Sequence, residues 1–283
     1  MADQRFKYYI EVLKPRASIL LTFIGVCAAI VAGNGEISWR LLLITFTIFV
    51  ASAGANGLTN YLDCGIDAKM LRTRNRALPS KRINPPERVL PLNITLVIIG
   101  LGLAYYLHYL CFIADIIGTL AAVIGRKKVT CVFPQGMIAS CAPVLMGWFA
   151  IEPAFRWEIV LLCILIGIWL PLHVWSVMLA NRDDYINAGL TYFPMSWEPV
   201  NVVKVLISFS LVLSITAITL YFIAGFTLFY LIIAIILSIA MVFASFRLMI
   251  SGIDKNAWKL YKLSAFPFLG ILFLVMCLDI WIF

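Results

Sequence analysis

Residues Asn56 to Arg88 read N-G-L-T-N-Y-L-D-C-G-I-D-A-K-M-L-R-T-R-N-R-A-L-P-S-K-R-I-N-P-P-E-R. An apolar segment runs directly into this stretch, and two aspartates and seven Lys/Arg side chains crowd into it in a chain that is only 13% charged. Asp63 and Asp67 stand four apart, so on a helix they lie one turn above each other on the same face. Like charges at that spacing repel, and a divalent cation beside them reverses the sign. Mg2+ prefers carboxylate and water oxygens and is commonly held by one or two carboxylates plus a substrate phosphate. Lys69, Arg72, Arg74 and Arg76 follow, and guanidinium forks match phosphate oxygens in pairs. Carboxylates for a metal, then bases for phosphate, point to a diphosphate site. The plain alternative is a solvated basic loop in the cytoplasm, and the D-x-x-x-D spacing alone is weak because it recurs by chance on many helices.

Outward from this stretch the chain is apolar. Hydrophobic residues make up 63% of it, and several apolar runs of roughly 17 to 25 residues meet the length needed to cross a bilayer. The spans and short loops nearly exhaust the 283 residues, so a single integral membrane domain, 1–283, is expected, with no separate soluble domain. The charged opening M-A-D-Q-R-F-K-Y-Y-I-E-V-L-K-P-R lacks a small-residue cleavage site, so the first span is expected to serve as its own insertion signal. A net charge of +8 would suggest nucleic acid in a soluble protein; here retention of Lys and Arg on the cytoplasmic side explains it better, and no nucleic-acid partner is expected. The seven cysteines are scattered, mostly inside spans, and form no C-x-x-C pair, which argues against a disulfide framework or a zinc site.

The expected fold is all-α, with nine transmembrane helices at 17–33, 40–58, 89–107, 109–125, 134–151, 158–180, 202–224, 226–246 and 263–282. With the N-terminus in the cytoplasm, every Lys and Arg except Arg40 and Arg156 falls on the inner side. That places the acidic loops at the cytoplasmic face and the C-terminus outside.

A second acidic stretch, W-L-P-L-H-V-W-S-V-M-L-A-N-R-D-D-Y-I-N-A-G, covers 169–189. Asp183 and Asp184 stand at the cytoplasmic end of a long apolar helix, with Asn187 one turn beyond Asp183. A diphosphate with two metals would be held better between two carboxylate groups on facing helices than by one; solvated helix-end charges are the alternative. His173 lies two to three turns further in, between Trp169 and Trp175. An intramembrane histidine is a functional candidate by default: it could position an acceptor, ligate a haem iron as neutral imidazole or bond a neighbouring carbonyl. His108, beside Tyr105, Tyr106 and Tyr109, reads as an interfacial residue. Asp115, in the fourth span, faces either the bundle interior or a water cavity and has no assigned role. Residues 134–148, P-Q-G-M-I-A-S-C-A-P-V-L-M-G-W, read as small-residue helix packing.

With these residues in view, the chain resembles the UbiA-type intramembrane prenyltransferases, and within them the protohaem IX farnesyltransferase (haem O synthase) branch. N-Y-L-D-C-G-I-D-A-K-M-L-R-T-R-N-R-A-L-P resembles that branch's first Asp-rich motif and R-I-N-P-P-E the loop after it. W-L-P-L-H-V-W with N-R-D-D-Y-I-N-A-G resembles the second, and A-P-V-L-M-G-W after R-K-K the middle segment. The resemblance implies nine helices around a central cavity, Mg2+-dependent loss of diphosphate from an isoprenyl diphosphate, farnesyl diphosphate in this branch, and transfer of the farnesyl group to a haem b vinyl. Carried over residue by residue, it implies Asp63, Asp67 and Asn60 for the first metal–diphosphate group and Asp183 and Asp184 for the second. Arg72, Arg76, Lys127, Lys128 and Arg182 then belong to diphosphate binding, and His173 is an acceptor-side residue. Metals and bases would stabilise charge on the departing oxygen, and a dry aromatic cavity would keep the allylic cation from water. The chain departs from the family at Thr59, where Asn is frequent, at Gly65, where the branch usually has another acid, and at Ala121 and Ala122, which replace a Tyr-Thr pair. In the second motif, Asn187 stands where a strict D-x-x-x-D would place an acid.

A quinone precursor or a polar lipid is the alternative acceptor. A haem- or lipid-binding transporter, using Asp115 and His173, is the rival from another class, although no internal repeat beyond the two acidic loops is visible.

Overall fold

In hydrocarbon a backbone must satisfy its own polar groups, so apolar runs bounded by Pro, Gly and charge become helices. The computed structural model describes residues 2–124, 132–250 and 252–283, and among them there is no β-strand. The helices are α1 (Ala2–Val12), α2 (Pro15–Ala32), α3 (Trp39–Asp67), α4 (Leu90–Leu107), α5 (Tyr109–Val123), α6 (Gln135–Phe149), α7 (Trp157–Ala180), α8 (Arg182–Asn187), α9 (Pro199–Ala224), α10 (Leu228–Ile250), α11 (Ile253–Leu263) and α12 (Ile271–Ile282). Pro15, Pro91 and Pro199 open α2, α4 and α9 in first turns, where the missing N–H would have had no partner within the helix.

Each of the nine expected spans overlaps one of these helices. Among the described residues, however, seven stretches are long and apolar enough to cross a membrane, Ile253–Ile282 counting as one. α5 and α6 have 15 residues each; at the α-helical rise they reach about 22 Å, short of a hydrocarbon core of about 30 Å. Two other boundaries differ from expectation. α3 continues past residue 58 to Asp67 as one 29-residue helix, so the first acidic motif is the last turns of a span rather than a loop. The last span does not begin at 263: an amphipathic α11 precedes it, joined through a widened turn at Ser264–Gly270 that contains Pro267. Proline removes an N–H from the ladder and bends the helix there. The indole of Trp169 donates to the Ser264 carbonyl in this turn (2.6 Å).

Each long helix packs on the next in chain order, α7 meeting α9 directly, and α12 returns against α2 to close a ring. α6 also packs across onto α2. The small residues anticipated in 134–148 are what permit this: a Cβ at Gly147 would overlap the carbonyl oxygen of Gly25. At the other side of the ring Asp279 of α12 caps α10 from outside that helix, accepting the Thr227 N–H at 2.8 Å and the Tyr230 N–H at 3.1 Å. A second, small apolar cluster of Val12, Ala77, Leu78, Ile83 and Val89 fastens the residue 68–85 loop to the end of α1.

Candidate active site

The first acidic motif is built at the end of α3 and held by the N-terminal segment. Asn60 donates to the Val12 carbonyl at 2.6 Å, and Asn56 to the Ser18 hydroxyl at 3.1 Å. Lys14, in left-handed backbone at the α1–α2 junction, reaches Thr59 Oγ1 at 3.1 Å. These bonds tie the end of α1, the junction and the start of α2 to positions 56, 59 and 60 of α3, on the approach to Asp63. The side-chain amide oxygen of Asn60 is buried with no hydrogen-bond partner, and Asp63, one turn on, is half-buried.

Asp67 is buried, and the loop after it folds back over its carboxylate. Arg76 Nη1 meets Asp67 Oδ2 at 2.8 Å, with the acid side chain 10% and the arginine 39% exposed. The Thr73 hydroxyl donates to the Asp67 carbonyl at 2.9 Å. Further along, Glu11 of α1 accepts the Ala77 N–H at 2.8 Å and pairs with Arg82 at 3.3 Å.

The second motif meets the first here. Asn181 bends the chain between α7 and the six-residue α8, and Asp184 then accepts two backbone N–H groups of the first loop: Leu71 to Oδ1 at 2.8 Å and Arg72 to Oδ2 at 3.2 Å. The Arg72 guanidinium donates to the Tyr185 hydroxyl at 3.1 Å. Two segments more than a hundred residues apart thus share one end of the bundle. Asp183 is exposed beside this clamp. Arg182, grouped with the diphosphate ligands from the sequence, is engaged elsewhere: its guanidinium donates to the carbonyls of Pro194, Met195 and Trp197 at 3.2, 2.8 and 3.0 Å and pins that loop. Lys127 and Lys128 lie outside the described residues.

His173 sits in an aromatic slot. Its ring stacks on Trp169 (centroids 4.9 Å, 18°) and leans on Tyr261 (4.4 Å, 30°), and Nδ1 lies 2.9 Å from Ser264 Oγ. The Ser264 hydroxyl gives its proton to the Tyr261 carbonyl at 2.9 Å, so Nδ1 is the donor of that pair and a neutral ring carries its lone pair on Nε2. The hydrogen bond that the ring makes is to a hydroxyl, Ser264 Oγ, and not to a carbonyl.

Two cavities adjoin the first motif. One, of about 380 Å³, is lined by Glu11, Lys14, Arg16, Asn60, Asp67 and Arg76 among others. The second, of about 250 Å³, lies deeper, between α2, α3, α5, α6 and α7, with mostly small and apolar walls. Lys14 lines both. His173 lines neither; Leu170 and Val174, one residue round the same helix, face the second cavity. Glu11, Lys14 and Arg16 were read from the sequence only as orienting charge or not at all. The signal available was the K-P-R triplet, which puts two bases at the mouth of the first span. Among the described residues, no three of His, Cys, Asp and Glu are gathered closely enough to hold a metal by themselves.

The sequence profile of the UbiA prenyltransferase family matches residues 18–272. The Protoheme IX farnesyltransferase of Desulforudis audaxviator is 31% identical over 284 residues, covering 98% of this chain and 89% of the relative. Protoheme IX farnesyltransferase 1 of Picrophilus torridus is 29% identical, covering 99% and 97%, and the Thermoplasma volcanium protein of the same name 31%, covering 96% and 97%. Among solved structures, a digeranylgeranylglyceryl phosphate synthase superposes with a TM-score of 0.79 at 19% identity, covering 98% of this chain and 99% of that one. A UbiA homolog from Archaeoglobus fulgidus bound to GPP and Mg2+ superposes with a TM-score of 0.67 at 15% identity, covering 95% and 99%. At those identities the structures establish a shared fold.

Proposed function

The chain belongs to the UbiA prenyltransferase family, and on that premise we propose that it transfers a farnesyl group from farnesyl diphosphate to protohaem IX, with Mg2+, as one integral membrane domain. Its long apolar helices and its family make it a multi-pass membrane protein. The basic-residue bias supports an N-terminus and acidic motifs on the cytoplasmic side and a C-terminus outside. Full-length relatives that carry the name Protoheme IX farnesyltransferase support the acceptor and donor. The observation that carries the chemistry is the Asp184 clamp on Leu71 and Arg72, because it joins two acidic motifs that a single diphosphate would have to bridge.

The donor set suits Mg2+. Asp63 and Asp67 would supply one pair of carboxylates and Asp183 and Asp184 the other, with the unpartnered Asn60 oxygen beside the first. Mg2+ ordinarily takes one or two carboxylates and completes its shell with water and substrate phosphate, so a cage of three acids is not required. When bound, the metal neutralises charge on the leaving diphosphate. Arg72, Arg76, Lys127 and Lys128 would carry the remaining counter-charge, Arg76 already holding the position through Asp67. Arg182 would act at one remove, keeping the 194–197 loop against α8. On the acceptor side His173 would present Nε2, its other nitrogen being committed to Ser264.

Purified protein incubated with labelled farnesyl diphosphate and haem b, with Mg2+ or with chelator, tests this. Metal-dependent pyrophosphate release and a haem mass increased by one farnesyl unit are expected. Parallel incubations with an aromatic acid or a polar lipid identify either as the acceptor if the product forms there instead. Haem flux without pyrophosphate release would overturn the assignment in favour of transport.

A further inference from the structure

α5 carries a carboxylate that the diphosphate site does not use. Asp115 is 4% exposed; the Thr119 hydroxyl donates to Oδ1 at 3.3 Å, while Oδ2 is buried without a hydrogen-bond partner. Both residues line the deeper cavity of about 250 Å³. An acid inside a span is costly and is retained for chemistry or for a polar partner. The rest of the Asp115 helix wall is small, Gly118 and Ala122. Thr59 and Lys14 also line this cavity, and Lys14 lines the cavity of Asp67 and Arg76 as well. An isoprenyl diphosphate with its headgroup in that cavity would bring its first carbons near Lys14, which also lines the cavity of Asp115.

We propose that Asp115 is the proton acceptor of the transfer, an assignment that rests on the prenyltransferase reading. The C1–O bond to diphosphate breaks and its electron pair leaves with the diphosphate. A π pair of the acceptor forms the new C–C bond to C1, and the acceptor becomes a cation. That cation becomes neutral by losing one proton, from carbon or from a water molecule that has added to it, and the proton goes to the Asp115 carboxylate. The Thr119 hydroxyl holds one of its two oxygens.

The experiment measures, for wild type, D115N and D115E in detergent with Mg2+, farnesyl diphosphate and haem b, both pyrophosphate released and farnesylated haem formed. A positioned base contributes about 10²- to 10⁴-fold. D115N, which keeps the shape and loses the basicity, is expected to lower product per pyrophosphate by about 100-fold, because the cationic adduct that keeps its proton breaks its new C–C bond again and water captures the freed farnesyl cation as farnesyl alcohol. D115E is expected to restore the ratio to within a few-fold, and melting temperatures report the fold of each variant. A D115N ratio equal to wild type overturns the assignment. So does a parallel fall of pyrophosphate and product, because the proton leaves after the C–O bond has broken. A wild-type protein that releases no pyrophosphate at all overturns the prenyltransferase reading and this assignment with it, which separates the two failures.

Discussion

Replacing Asp184 by alanine should free the loop that follows Asp67. Its carboxylate accepts two backbone N–H groups, Leu71 at 2.8 Å and Arg72 at 3.2 Å. Hydrogen bonds to a charged acceptor contribute about 1.5–3 kcal/mol each when shielded, but Leu71 and Arg72 are exposed and water can replace part of each bond. About 1 kcal/mol per bond, or about 2 kcal/mol together, is the appropriate scale, and at 1.4 kcal/mol per decade this is about 30-fold. Hydrogen–deuterium exchange on the protein in lipid nanodiscs should therefore show the peptide containing residues 71–72 exchanging about 30 times faster in D184A. D184N, which keeps one acceptor oxygen, should lie between. D183A serves as the control, because Asp183 is exposed and makes neither bond; exchange at 71–72 should not change in it. Equal exchange in D184A and wild type, or equal acceleration in D183A and D184A, would refute the clamp and remove the main reason for uniting the two motifs.

Asp63→Ala and Asp67→Ala should each lower Mg2+-dependent pyrophosphate release at least about 100-fold at unchanged membrane expression, measured with a coupled phosphate assay; loss of metal-assisted charge stabilisation is on that scale. Gly147→Leu should prevent α6 from seating on α2, since even a Cβ overlaps the Gly25 carbonyl; overpacking ordinarily costs about 1–3 kcal/mol and more where backbone is the obstacle, so little monodisperse protein should be recovered on size-exclusion chromatography. Asp279→Ala leaves the Thr227 and Tyr230 N–H groups without their acceptor; at about 1–3 kcal/mol per stranded buried donor, the detergent melting temperature should fall by several degrees while pyrophosphate release at low temperature persists.

The membrane class, the course of each apolar helix and the placement of Asp63 and Asp67 on one helical face follow from composition and periodicity, which are local properties written within a few turns of chain. The small-residue character of 134–148 was equally legible, because close helix approach requires side chains of that size whatever the partner. The partner, Gly25, was not: it lies on another helix and is found only when α6 and α2 cross. The same limit explains the differences at the site. Nothing within the 182–184 triplet distinguishes an arginine that will grip three carbonyls from one that will face a phosphate, or an aspartate that will clamp a loop from one that stays exposed. Lys14 counted only as inner-side charge until the α1–α2 junction folded onto Thr59. Asp115 has a position in the sequence but no surroundings until the helices close the cavity that it lines. Charge and hydropathy determine which segments enter the bilayer; which side chain meets which, across a hundred or more residues, is decided when the helices pack, because hydrogen-bond geometry depends on distances of a few tenths of an ångström that no local pattern encodes.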